Sequence, residues 1–440
     1  AEKMAGITVV HDGEFIGVAS EDPQKLAAAV DAVKAEWKAN PQPSSRELFS
    51  LLKANPAPKS SAIEEAIERA DAKAEATYTV AYIAHVPLEP RGAVAEWKDG
   101  KLTVWTGGQR PFGVRDELAE AFNLPKDRVR VIGPDTGSGY GGKHTGEAAI
   151  EAARLAKAAR RPVKVNWTRE EEMTWAYFRP AGVIDVRSGA RKDGTIVAWD
   201  FHNYNSGPSG LKSMYNIPGE RAEFHEAESP LRQGSYRGLA GTANHFARES
   251  HMDELAHAAG VEPLSFRLKN TSDPRLRRVF EAATEKFEWG KSKTRPGQGF
   301  GLSGGFEKGS YFACCVEVTA PQNGAPLKIE RVVQAFDCGP VVNPEHLKNQ
   351  VEGSIIQGLG GALFEAVDFE NGRILNSRLA KYRLPRFSDT PVHIESILID
   401  PKDVPSAGAG ETPIMGIAPA IANALFDATG QRIRSMPLRV

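Results

Sequence analysis

The stretch DTGSGYGGKHTGEAAIEAARLAKAA, residues 135–159, decides how the fold is read. An apolar run, VRVIG at 129–133, precedes it and an alanine-rich run of helical character follows, so the glycines join a strand to a helix. Several chemistries use such a junction. Gly137, Gly139 and Gly142 have the G-x-G-x-x-G spacing of a dinucleotide fingerprint. Gly137, Gly142 and Lys143 fit a phosphate-binding loop up to its last position, where a magnesium-binding hydroxyl is required and His144 stands instead, with Thr145 one residue late. A Rossmann half would continue as repeated βαβ units. Here the strand VKVNW at 163–167 leads instead to a hairpin turning at Asp193-Gly194. A third reading is a loop whose bare N–H groups approach an anionic or oxo ligand beside the helix N-terminus. A fourth is a tight turn with no ligand.

Working outward, the pattern is a mosaic of hairpins and helices, which predicts an α+β fold. AVAEWKDGKLTVWTG at 93–107 is a hairpin pinned by Asp99-Gly100, and a helix is expected from about Pro111 to Phe122. Later helices are expected over 245–259, 275–288, 349–366 and 417–428, with the strands ACCVEVTA and KIERVVQAFDCG between them. Near the start, residues 7–38 read as two strands and a helix. Asp22 would cap that helix, Pro23 suits its first turn, and Leu26, Val30, Val33 and Trp37 form its apolar stripe. Residues 40–62 read as a linker around one short helix.

The 440-residue length predicts two to four domains. With 55 basic and 56 acidic residues and no long basic tract, nucleic acid is not an expected partner. The three cysteines, Cys314, Cys315 and Cys338, form no C-x-x-C pair, so no iron–sulfur cluster or Cys-rich zinc site is expected within this chain. No apolar run reaches about 18 residues, and no membrane span is expected. The sequence opens inside a strand–turn–strand pattern, which predicts a fragment or a processed subunit.

Three further features could carry chemistry. Glu254-x-x-His257 resembles half of a di-iron helix site but has no second copy, so edge residues are the expected reading. Gln350 and Gln357 share a helix face two turns apart, on a helix thinned by glycines, as a packing contact or a functional amide face. Glu411 sits in GAGETP, either as a carboxylate held near a substrate with its pKa raised by burial or as a first-turn acid of the next helix.

Taken together, GGQRPFGVRDELAEAF (107–122), GSGYGGKH (137–144), ARRPVKVNWTREEEM (159–173), the segment SPLRQGSYRGLAGTANHFARES and its continuation to Asn270, NPEHLKNQVEGSIIQGLGGALFE (343–365), YRLPRF (382–387) and GAGETPIMGIAPAIANALFDATG (408–430) resemble the molybdopterin-binding large subunit of the xanthine dehydrogenase and aldehyde oxidase family of molybdenum hydroxylases. The order of the segments is similar over nearly the whole chain. Within the family the pattern is most similar to isoquinoline 1-oxidoreductase-like large subunits, whose segment order is permuted.

The resemblance implies a glycine cluster at the molybdenum centre, with Gly139, Tyr140 and Gly141 presenting backbone N–H groups, rather than a phosphate loop or a Rossmann turn. It implies that Gln109 hydrogen-bonds near the metal, that Arg237 lines the same centre, and that Gln350 contacts the pterin. Glu411 would be the active-site general base in a hydroxylation that takes its oxygen from water. The metal would be held by the pterin dithiolene and by no side chain. The implied cofactor is a molybdopterin, as its cytosine dinucleotide, with [2Fe–2S] clusters in a partner subunit. The implied domains are a partial α/β hammerhead over 1–40, a linker over 41–73, a first cofactor-binding domain over 74–290 and an incomplete second one over 291–440.

Departures narrow the substrate. His144 stands where purine-oxidising relatives have a glutamate, Ser206 where they have an arginine, and Leu239 where an aromatic residue often sandwiches the substrate. The expected substrate is a small N-heterocycle or an aldehyde rather than a purine. A Gly-Gln-Gly pterin contact is missing, which predicts a missing N-terminal segment or chain of the large subunit. The rival readings are a nucleotide-binding enzyme using the 137–143 loop and a non-catalytic half of a split subunit. Compartment is open between cytoplasm and periplasm.

Overall fold

The computed structural model describes residues 1–38, 40–58, 60–321 and 326–439. The hairpin Gly92–Lys98/Lys101–Thr106 turns at Asp99 and Gly100, both left-handed (φ 49° and 70°), as an Asp-Gly two-residue turn requires. It forms the centre of a four-stranded sheet flanked by the strands Val129–Ile132 and Val163–Asn166. Small side chains let the helix Glu147–Ala159 lie close on this sheet. Ala148, Ala149, Ala152, Ala153 and Ala156 are buried against Ala95, Leu102 and Val104. The glycine-rich segment is the connection from the edge strand Val129–Ile132 into that helix.

A five-stranded sheet runs in the order Glu220–His225, Ile196–Tyr204, Gly182–Ala190, Ala72–Val80, Ser435–Met436. A second four-stranded sheet comprises Gln298–Glu307, Ser310–Thr319, Lys328–Asp337 and His393–Ile399. The largest core lies between these two sheets, around the helix Gly241–Ala258. That helix is buried on nearly all sides, so its polar groups need internal partners. Glu249 accepts from Arg267 Nε at 2.9 Å and from the Tyr215 hydroxyl at 3.0 Å. The helix Ile417–Thr429 presses on the strand Gln298–Glu307 where glycine leaves room; a Cβ at Gly301 would lie 2.0 Å from the Ala420 carbonyl oxygen. Mixed sheets with helices segregated on their faces make the fold α+β.

The N-terminal hairpin and helix form as expected, with Asp22 accepting from the Gln24 and Lys25 N–H groups. The helix is shorter than its apolar stripe suggests, ending at Asp31. Val30 is 56% and Trp37 84% exposed, so no burial within the described residues favours extending it. Cys314, Cys315 and Cys338 are free and buried. No helix among the described residues is long and apolar enough to cross a membrane.

Candidate functional site

The glycine loop is left-handed at Ser138, Tyr140 and Gly141 (φ 75°, 56° and 95°). Such conformations cost a residue with a side chain about 1 kcal/mol or more and persist only when the surroundings fix them. Glu89 accepts from the Gly137 N–H at 2.8 Å and from Lys143 Nζ at 3.0 Å. Gln109 Oε1 accepts from the N–H groups of Gly141 and Lys143 at 3.0 and 3.2 Å, while the Gln109 N–H donates to the Lys143 carbonyl at 2.8 Å. The Tyr177 hydroxyl donates to the Gly141 carbonyl, and Arg91, itself paired with Glu172, donates to that of Gly142. His85 lies directly beneath; a Cβ on Gly142 would sit 2.6 Å from its Cγ. Burial pushes His85 down to about 4, so it is neutral, with Nε2 donating to the Ser235 carbonyl.

This clamp decides among the readings of the loop. Lys143 is 2% exposed with its ammonium on Glu89, so the loop offers no lysine to a phosphate. The Gly141 N–H is occupied by Gln109 and is not open to a ligand. Those of Gly139 and Tyr140 have no hydrogen-bond partner among the described residues. Neither has the Gln109 amide NH₂. Glycine bares this wall: a Cβ at Gly139 would lie 2.5 Å from Gln109 Oε1, and one at Gly141 2.9 Å from the Ser235 carbonyl oxygen.

Arg237 ties the loop to two distant segments. Its N–H donates to the Tyr140 carbonyl at 2.8 Å. Its guanidinium donates to Gln357 Oε1 and Gln350 Oε1, both at 2.9 Å, and to the Gly410 carbonyl. Gln350 and Gln357 thus do share a working face of the helix Pro344–Leu363. Burial works against the Arg237 charge and lowers its pKa. Glu411 follows Gly410, and Lys308 Nζ lies 2.6 Å from its carboxylate. The carboxylate is 40% exposed and ion-paired rather than buried. His144 lies within electrostatic reach of Glu411 and Arg110, and burial lowers its pKa.

The structure therefore brings Gln109, Gly139, Tyr140, Gly141, Arg237, Gln350 and Glu411 into one connected constellation. The other departures fall elsewhere or serve the backbone. Ser206 is buried and bonded to Asn203, and Leu239 occupies a left-handed turn (φ 49°). Glu254 accepts from the Tyr78 hydroxyl and Arg434, while His257 lies 3.4 Å from Asp253, so this pair is structural. Sequence reading missed Glu89, His85, Tyr177 and Lys308, which share no motif spacing with the loop they hold.

Open N–H donors, a glycine-bared wall and the cations Arg237 and Lys308 beside one carboxylate suit a ligand bearing oxo or phosphate groups.

Two family models, each described as "Molybdopterin cofactor-binding domain", match residues 53–271 and 213–391. Over 99% of its length the chain is 29% identical to a subunit of the nicotinate dehydrogenase of Pseudomonas putida, of which it covers 40%. Over 96% it is 28% identical to the beta chain of the isoquinoline 1-oxidoreductase of Brevundimonas diminuta, of which it covers 59%. The chain thus spans about half the length of these curated relatives. The solved aldehyde oxidoreductase of Desulfovibrio gigas superposes with a TM-score of 0.81 at 19% identity, covering 96% of this chain and 67% of that one.

Proposed function

Because this chain belongs to the family of molybdopterin-binding large subunits of molybdenum hydroxylases, we propose that it forms the substrate-oxidising part of such an enzyme, acting on a small N-heterocycle or an aldehyde. Nicotinate, isoquinoline and aldehyde appear in the names of its relatives and neighbour, which supports these two substrate classes. The observation that carries the reading is the Arg237 junction, which joins the glycine loop, the Gln350/Gln357 helix face and the Glu411 turn.

In this proposal the Gly139 and Tyr140 N–H groups, the Gln109 amide NH₂ and Gln350 would hold the cofactor. When bound, the molybdenum–pterin group, proposed as the cytosine dinucleotide, would supply two-electron chemistry with oxygen drawn from water. Glu411 acts as general base at its carboxylate oxygen, a role worth typically 10²–10⁴-fold in rate. Lys308 and Arg237 orient that carboxylate turn, one from each side. His144, uncharged at neutral pH, offers a substrate ring nitrogen or carbonyl a neutral partner where purine-oxidising relatives place a carboxylate. Electrons would leave through a [2Fe–2S] partner subunit, since Cys314, Cys315 and Cys338 form no C-x-x-C pair for a cluster in this chain. The domain division at about residue 290, with the remaining cage supplied by another segment of the large subunit, is part of the same proposal.

The test is molybdenum content by mass spectrometry together with acid-released CMP, on the assembly purified with this chain. Near-stoichiometric values of both support the reading; absence of both from an intact assembly overturns it.

A further inference from the structure

Away from the Arg237 constellation, the edge of the five-stranded sheet gathers two imidazoles and a carboxylate. The strands Ile196–Tyr204 and Glu220–His225 pair in parallel with Glu223 opposite His202 and His225 opposite Tyr204. Residues two apart share a strand face, so Asp200 and His202 meet Arg221, Glu223 and His225 on one side of the sheet. His202 Nδ1 lies 2.9 Å from His225 Nε2, and Glu223 Oε2 lies 3.7 Å from the first and 3.9 Å from the second. Ligands bonded to one tetrahedral ion at 2.0–2.1 Å stand about 3.3 Å apart. The three separations bracket that value, so an ion would need only small side-chain shifts.

The supporting groups are those a metal-binding histidine uses. Asp200 Oδ1 lies 2.9 Å from His202 Nε2, the carboxylate–histidine contact that directs the opposite nitrogen towards a metal. Asp200 is 2% exposed and is fixed in turn by Arg187 and Arg221. Tyr204 stacks on His225 with centroids 4.8 Å apart and sets its ring plane. Arg221 Nη2, 2.7 Å from His202 Nε2, and Arg187, paired with Glu64, complete the charged surroundings. Glu223 is half exposed, so the fourth coordination position faces solvent.

We propose that His202, His225 and Glu223 form a mononuclear site for a divalent transition ion of the zinc class, with water as its fourth ligand. Two imidazoles and one carboxylate suit Zn²⁺ better than Ca²⁺ or Mg²⁺, which take oxygen ligands. The ion ties the edge strand Glu220–His225 to its neighbour across one face of the sheet. In its absence the two imidazoles share one N–H, while His202 Nε2 stays on Asp200, whose carboxylate also accepts from Arg221.

The test is equilibrium dialysis of the purified full chain, in its assembly and after chelator treatment, against Zn²⁺, with bound zinc counted by mass spectrometry. The site predicts one Zn²⁺ per chain that is lost or weakened at least tenfold in both Glu223→Gln and His225→Ala. Each side chain is partly exposed, and far-UV circular dichroism checks that each variant is folded. Asp200→Asn, which leaves the three ligands in place, is expected to weaken binding by about 10–100-fold. No stoichiometric uptake by the unmodified chain, or uptake unchanged in both ligand variants, would overturn the proposal and leave the trio a hydrogen-bonded pair beside a surface acid. Molybdenum content does not enter this readout, so its outcome is separate from that of the proposed oxidoreductase activity.

Discussion

Replacing Arg237 by lysine keeps the charge and removes the fork. Besides a longer 3.3 Å bond to the Gln350 carbonyl, the guanidinium reaches three acceptors at once, Gln350 Oε1, Gln357 Oε1 and the Gly410 carbonyl. An ammonium on a shorter stem is a point charge and can satisfy one of them in that geometry. Hydrogen bonds to charged groups contribute about 1.5–3 kcal/mol each. Water can replace part of that at this half-buried position, so losing two should lower stability by about 2–4 kcal/mol. The larger effect is positional. The Gly410 bond is the tether on the loop side of the Glu411 turn, and a misplacement of about 1 Å can cost on the order of 10²-fold in rate. Steady-state turnover of an aromatic aldehyde or N-heterocycle by the assembly should show kcat reduced about 10²-fold with KM little changed. Molybdenum per chain should be retained, and the urea midpoint should fall. Wild-type kcat in a metal-loaded variant would refute the positioning argument, as would a loss of kcat that only follows a loss of molybdenum.

Glu411→Gln keeps the shape of the turn and removes the base; turnover should fall by about 10²–10⁴-fold while molybdenum content stays unchanged, and a variant that keeps full turnover would point to a non-catalytic half of a split subunit. Gly139→Ala places a methyl group 2.5 Å from Gln109 Oε1; it should push the amide away and lower molybdenum occupancy, and a fully occupied variant would remove Gly139 and Gln109 from the cofactor wall. Burial holds the Glu365 carboxyl protonated up to about 8, against 4.5 for the free side chain. Between these values the unfolded chain releases a proton that the folded chain keeps, so stability falls as pH rises through that window, by an amount on the order of a few kcal/mol. Glu365→Gln, which cannot ionise and can still accept from the Tyr382 hydroxyl, should flatten that slope in urea midpoints taken at pH 5 and pH 8. Parallel slopes for the two proteins would show that another group titrates there.

Local signals carried much of the fold into the sequence. The Asp99-Gly100 turn specifies its hairpin because both residues must be left-handed, and Asp22 with Pro23 marks a helix start that the structure shows. The end of that helix was not legible, since Val33 and Trp37 fit the period but find no surface to cover within the described residues. Long-range pairing hid the rest. Lys143 reads as a phosphate ligand until Glu89, 54 residues earlier, is found on its ammonium. Gln350 and Gln357 read equally as packing until Arg237, more than a hundred residues away, takes both amide oxygens. The sheet-edge histidines look scattered in the sequence because D-x-H at 200–202 and E-x-H at 223–225 meet only through parallel register. That alternation, with a charge two residues before each histidine, was the one signal available.

The Glu411 turn shows why segments so far apart in the chain had to be built on one frame. A general base is useful only if its oxygen is fixed relative to the reacting atoms, and a glycine-rich turn such as 408-GAGET-412 cannot fix itself. The hairpin joining Gln298–Glu307 to Ser310–Thr319 holds it on one side. Ser310 Oγ donates to the Gly408 carbonyl at 2.8 Å and Thr412 Oγ1 donates to the Glu307 carbonyl at 3.1 Å. Lys308, at the left-handed tip of that hairpin (φ 52°), reaches the carboxylate itself. Arg237 holds the other side and in the same residue binds the carbonyl of Tyr140. The carboxylate and the open N–H groups of the glycine loop are thus referenced to each other through a single guanidinium-bearing residue rather than through the glycine turn alone. A glutamate placed on a rigid strand would need no such frame. A glutamate on glycine can be set at the edge of an open cleft with little bulk around it, at the cost of depending on its neighbours for position.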